Sequence, residues 1–292
     1  MARSIGVLAT RYIWVGIVDG TTLGTVRMYP EPGQEQIDLK SLPVEEIVGR
    51  IREHVAELLR EGPVESVGAG FPGIVRNGRI EESPNLGQLK GLDVCNLLST
   101  ALQGDGLNVP VVVMNDADAL AAGLAAKHGA LDRILRVWYL GDGIGFGRCP
   151  RGEGVWEMGH SVVTLDPRER FCGCGGVGHL EGIVGNRAMR LRFLDMEPEE
   201  VFAEARHGDR RAVEFFNLWH RALAAATATS IHIDGPGRFY LAGPNSDFVD
   251  LGLLNLYLQD MVKMSPLQGT FFEIVRTSHD LALIGAAITS RA

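Results

Sequence analysis

The sequence predicts a two-domain α/β protein, and three observations carry that prediction. Its 292 residues reach the length at which a single hydrophobic core stops growing and a chain divides. Continuous apolar runs of strand length recur, the clearest being Val109 to Met114, and such runs suit strands buried on both faces. Between the runs lie stretches of helical character, Leu42 to Arg60 and Ala119 to Lys127.

In chain order, Ser4 to Tyr29 reads as two β-rich runs joined by a short turn, with Asp19-Gly20 as a hairpin signal. In the first helix Ile47, Val48, Ile51, Val55, Leu58 and Leu59 line one face of a charged background, and Gly62-Pro63 stops it. Ser66 to Phe71 is a short strand. The turn Phe71-Pro72-Gly73 sits at its carboxyl end, where open α/β sheets place ligands. The run ending at Met114 leads into Asn115-Asp116-Ala117-Asp118, and acids there suit a helix N-terminus whether or not they do chemistry.

Leu135 to Leu140 is a further strand. It opens into Gly141-Asp142-Gly143-Ile144-Gly145-Phe146-Gly147, whose alternate glycines let backbone approach a phosphate. Gly182 to Arg190 and Pro198 to Thr229 are mainly helical, with Phe215, Phe216, Leu218, Trp219 and Leu223 as a core face. A strand from Arg238 turns at Gly243-Pro244, and Ser278 to Ala287 forms the closing helix.

Lys and Arg number 28 against 36 Asp and Glu, a net charge of −8, which argues against nucleic acid or an anionic membrane as the main partner. No run approaches the ~18 apolar residues of a spanning helix, and the start lacks the long apolar region of a signal peptide. The expectation is a cytoplasmic protein. Its 4 cysteines, Cys95, Cys149, Cys172 and Cys174, are too few for a disulfide framework in a chain this long.

The densest chemistry lies between Glu157 and Glu181, where His160, Cys172, Cys174 and His179 fall close together. Thiolate and imidazole ligands suit zinc, and Gly173, Gly175, Gly176 and Gly178 let the backbone fold tightly enough to point them at one centre. Four protein ligands make a closed, structural site, because catalytic zinc keeps a position for water.

Cys172-Gly-Cys174-Gly-Gly-Val-Gly-His179-Leu-Glu181 resembles the zinc signature CxCGxxGCxE of the ROK family of sugar kinases and sugar-responsive repressors. Glu157-Met-Gly-His160 resembles that family's ExGH, and His179 takes the place of its third cysteine. The resemblance runs from Ile5 to Ala287 and implies an actin-like ATPase fold of the ribonuclease-H-like class. It implies a smaller N-terminal domain, 1–115 with the closing helix at about 280–292, and a larger one, 116–279, holding the zinc segment 157–181. A sugar is expected in the cleft between them, and a homodimer is implied. The strand beginning near Ser4 leaves no room ahead of it for the repressors' DNA-binding domain.

The resemblance also assigns residues. Asp116 matches the catalytic base in NDxNA, with Asp118 where Asn is usual. Asn85, in Ser83-Pro84-Asn85-Leu86, resembles the sugar-contacting loop, and Asn115, Asp116, Glu157, His160 and Glu181 complete the sugar side. On the nucleotide side, Leu8-Ala9-Thr10-Arg11-Tyr12 stands where the family has DxGGT, without acid or glycine. Gly141, Asp142, Gly143 and Gly145 replace LGTGIGGG, with Asp142 at the threonine and Phe146 at a glycine. Gly243 alone remains of a third glycine run, and Pro244 removes a donor.

Two functions follow with similar weight. One is an ATP- and magnesium-dependent sugar kinase with Asp116 as base and Asp142 as replacement metal ligand. The other is a sugar sensor that has lost nucleotide. A third, minor reading is ATP-independent sugar chemistry by paired carboxylates such as Asp116 and Glu181. The expected behaviour is measurable sugar binding with weak or absent ATP binding.

Overall fold

The computed structural model describes residues 3–152, 154, 157–276 and 279–291, and two compact units are evident. The first comprises 1–135, 147–155 and 277–292, and the second 136–146 and 156–276.

β1 (Arg3–Ala9), β2 (Ile13–Asp19) and β3 (Thr22–Tyr29) form an antiparallel meander. The stretch read as two β-rich runs is therefore three strands, because the chain turns at Thr10–Tyr12 and again at Gly20. α1 (Val44–Leu59) buries Ile47, Ile51, Val55 and Leu58, the face its spacing predicts. β4 (Ser66–Phe71) pairs parallel with β1. After the hairpin of β5 (Ile74–Arg76) and β6 (Arg79–Glu82) come α2 (Val94–Gly104), β7 (Val111–Asn115) and α3 (Asp116–Lys127). The five-stranded order is β3-β2-β1-β4-β7, so the parallel strands β1, β4 and β7 bring three carboxyl-terminal turns to one end of the sheet.

β8 (Leu135–Leu140) and β9 (Ile144–Cys149) follow, then α4 (Glu181–Val184), α5 (Asn186–Arg192), α6 (Pro198–His207), α7 (Arg210–Asp234), β10 (Arg238–Ala242), α8 (Leu251–Met261) and β11 (Phe271–Ile274). The second sheet has the order β11-β10-β8-β9. Its core gathers Trp138, Leu140, Trp219, Leu223, Phe239 and Leu241, each 0% exposed.

α9 (His279–Thr289) closes the chain and packs with the first unit. Ser278 and Ala292, expected within this helix, lie outside the described residues. Helices α3 and α9 touch backbone to backbone. A Cβ on Gly285 would lie 1.8 Å from the Ala119 carbonyl oxygen, and one on Gly123 1.8 Å from that of Leu281. This close approach keeps α3 with the first unit, although the expected boundary fell just before it at 115. Arg291 pins the end of the chain, donating to Ser4 Oγ (2.9 Å), Gly20 O (2.6 Å) and Val18 O (2.8 Å).

His220 in α7 is 0% exposed; Nδ1–H donates to Phe216 O and Nε2 accepts from Asp250 N, each at 2.8 Å. That pattern requires the neutral ring, and burial holds its pKa below the ordinary imidazole value despite its hydrogen bond to Phe216. As pH falls below about 6.5 the unfolded chain takes up the proton first, so stability present above that pH is lost toward the lower folded value. The midpoint of urea unfolding is accordingly lower at pH 5.5 than at pH 7.5, and His220→Phe reduces that difference.

Candidate functional site

Asn115 and Asp116 stand where β7 passes into α3. Asn115, not an aspartate, caps the helix: its Oδ1 accepts from Ala117 N (2.8 Å) and Asp118 N (3.2 Å). Its Nδ2 donates to Gly73 O at 2.9 Å, tying the ends of β7 and β4 together. Asp116 Oδ1 accepts from Ala117 N at 3.0 Å, so the carboxylate sits at the positive end of the helix dipole. Asp118 accepts from Arg148 N at 3.1 Å and lies 3.9 Å from Arg151 Nε, an arrangement no local sequence pattern predicts. Asn85 is exposed on the loop that Ser83 Oγ anchors to Pro72 O.

In the second unit the four predicted metal ligands come together. One donor atom each from His160, Cys172, Cys174 and His179 lies within 4.8 Å of all the others. Cys172 Sγ is 3.4 Å from His160 Nδ1 and 3.4 Å from Cys174 Sγ, and Cys174 Sγ is 3.2 Å from His179 Nδ1. A tetrahedral zinc with bonds of ~2.3 Å to sulfur and ~2.0 Å to nitrogen holds its ligand atoms about 3.3–3.8 Å apart, close to these three separations, so the donor set fits. Gly178 is required here, with φ +73° and no room for a Cβ, which would meet Thr164 O at 2.0 Å.

Burial pushes the Cys172 thiol up to about 12, and a cation is what turns such a thiol into a ligand. Burial, then the neighbouring His160 ring, holds His179 below the ordinary imidazole range, in the neutral form that ligates. Glu169 and Arg192 brace this loop with a half-buried ion pair across 23 positions of sequence, and Arg192 covers the Phe171 ring at 4.4 Å. Sequence reading missed that pair, because nothing local marks it.

Glu181 joins the ligand cluster to the glycine turn. Its Oε1 lies 3.6 Å from Cys172 Sγ, and its Oε2 accepts from Ile144 N at 3.1 Å. Glu157 is exposed just ahead of the short turn that carries His160.

Within the turn, Gly141 N donates to Gly143 O at 3.1 Å, and Gly141 O accepts from Asn186 N at 2.9 Å. Asp142 projects outward and pairs with Arg190 at 3.3 Å, and Arg190 also holds Glu197 at 2.7 Å. Gly145 lies in β9, and Gly243 packs against the Leu140 carbonyl with φ +89°. In the first unit, the turn after β1 carries Arg11, paired with Asp38 at 3.6 Å, where a phosphate loop would need glycine and an acid.

The model of the ROK family matches residues 30–291. The glucokinase of Pyrobaculum calidifontis is 32% identical over 195 residues, 61% of this chain and 64% of its own length. This chain therefore aligns with less than two thirds of that relative. The glucokinase of Thermotoga maritima is 29% identical over 279 residues, covering 83% of this chain and 84% of that one. The ROK hexokinase structure from Thermus thermophilus superposes with a TM-score of 0.78 at 24% identity, over 98% of this chain and 97% of that one. The fold is thus the actin-like ATPase fold. Among the described residues no helix is long and apolar enough to cross a membrane.

Proposed function

From a chain that belongs to the ROK family, we propose a sugar kinase-like protein that binds a hexose or hexosamine, with Asp116 as the base. The observation that carries this reading is the seat of Asp116: the carboxyl end of β7, beside the Gly73 turn that follows β4, at the head of α3. Ligands of open α/β sheets bind at such strand ends. There the carboxylate takes the proton of a sugar hydroxyl while the hydroxyl oxygen attacks the terminal phosphoryl group of ATP and ADP leaves. Asn85 and Asn115 are the proposed sugar contacts of the first unit, Asn115 while also capping α3. On the family resemblance alone, Glu157, His160 and Glu181 are further proposed sugar contacts. His160 offers Nε2, since Nδ1 faces Cys172.

We assign zinc to His160, Cys172, Cys174 and His179 as a structural ion. When bound it supplies the charge that keeps both thiolates ionised. The protein's part is to tie that centre, through Glu181, to the glycine turn. A homodimer completes the proposal, on the family resemblance alone.

A second reading, a sugar sensor with little use for ATP, is favoured by two side chains. Leu8 stands in the first turn where magnesium binding calls for an acid, and Asp142 is already paired with Arg190. Calorimetry with a hexose panel and with magnesium-ATP separates the two. We expect measurable binding of one hexose or hexosamine, and ATP binding weaker than about 1 mM, since each lost polar contact removes ~1–3 kcal/mol. Asp142→Thr then tightens ATP if the carboxylate only repels, and abolishes transfer if it holds the metal. A protein that binds no sugar in the panel would defeat both readings.

A further inference from the structure

A pocket lies in the first unit, on the side of the sheet edge formed by β3. It measures about 410 Å³, within the range of small-molecule sites, and its walls include Tyr29, Glu31, Arg50, Glu53, His54 and Glu57. β3 and β7 are opposite edges of the five-stranded sheet, four strand spacings or about 19 Å apart, so this pocket is separate from the Asp116 site.

α1 delivers Arg50, Glu53, His54 and Glu57 to one face, at helical spacing. Among the described residues in the lining one guanidinium occurs, and both its Nη atoms are committed: Arg50 holds Glu53 at 3.1 Å and Glu46 at 3.3 Å, and lies over the Tyr29 ring at 4.7 Å. Glu57 meets Arg27 at 3.1 Å, and the Glu31 carboxylate accepts from Gln34 Nε2 at a long 3.5 Å. His54 is the anomaly. It is 8% exposed, and neither ring nitrogen has a hydrogen-bond partner. A buried imidazole left in that state carries an uncompensated desolvation cost, which a bound partner relieves. Its torsion about Cβ–Cγ is broad, so the ring can turn a nitrogen toward a ligand.

Three carboxylates and an imidazole make a wall dominated by acceptors. An anion is repelled there, whereas an ammonium brings three donors, no acceptor and the matching charge. We propose that this pocket binds a small protonated primary amine, held by Glu31, Glu53, Glu57 and His54. Two sources share that chemistry, an aliphatic diamine and an amino sugar. The Nε of Arg50, also buried and unpartnered, takes a hydroxyl from the second and nothing from the first.

The test is a titration of the full-length protein followed through the ¹H–¹⁵N signals of its histidine rings, with His54→Gln identifying those of His54. Putrescine, glucosamine and glucose are added in turn at constant ionic strength. A saturable shift at His54 with both amines and none with glucose is expected, at least tenfold weaker in Glu31→Gln. A tighter response to glucosamine than to putrescine supports the amino sugar, and an equal one the simple amine. No shift with either amine, or a response to glucose equal to that of glucosamine, overturns the proposal. Unchanged affinity in Glu31→Gln, with its melting temperature intact, overturns it too.

Discussion

Cys172→Ser is expected to lower the melting temperature by about 10 °C and to weaken binding of the proposed zinc. A structural zinc site contributes ~10–16 kcal/mol, and removing one of four ligands forfeits roughly a quarter of it; at 2–4 °C per kcal/mol for a domain of this size, a shift of about 10 °C follows. The damage does not stop at the loop. Glu181 touches Cys172 Sγ with one oxygen and holds Ile144 N with the other, so a loosened centre frees the glycine turn as well. Scanning calorimetry with elemental analysis of the same sample provides the check. A variant that melts with the wild type would leave the ion without a structural role.

Asp116→Asn abolishes phosphoryl transfer while leaving sugar affinity within a few-fold of wild type. The amide keeps the shape and can still accept from Ala117 N, but it cannot take a proton, and loss of a general base costs ~10²–10⁴ in rate. Steady-state transfer measured beside sugar calorimetry reads both quantities. Equal losses in affinity and rate would show that the residue only positions the sugar. If the wild type transfers no phosphoryl group to any sugar it binds, the sensor reading stands instead, and the substitution alters neither binding nor rate.

Much of this was legible in the chain because the signals are local. The four proposed metal ligands and their glycines are close enough in sequence that little but the backbone's reach decides whether they meet, and in the structure their donor atoms lie within 4.8 Å of one another. The apolar spacing of α1 gave its buried face, since helix geometry sets that before any tertiary contact forms. The motifs quoted for the ROK resemblance likewise lie in short segments, and the family match over residues 30–291 bears the resemblance out.

What folding alone decided involves residues distant in sequence. The cap on α3 went to Asn115 because its side chain also reaches Gly73, the turn after a neighbouring strand. α3 stays with the first unit because glycines on α3 and α9 bring two backbones into contact across more than 150 positions. The charge of Asp142 is met by Arg190, and that of Glu169 by Arg192, pairings with no local periodicity behind them. His54 reads in sequence as an ordinary polar residue of an amphipathic helix. Only the sheet and loop packed over it leave the ring buried without a partner, because burial depends on what the rest of the chain places there.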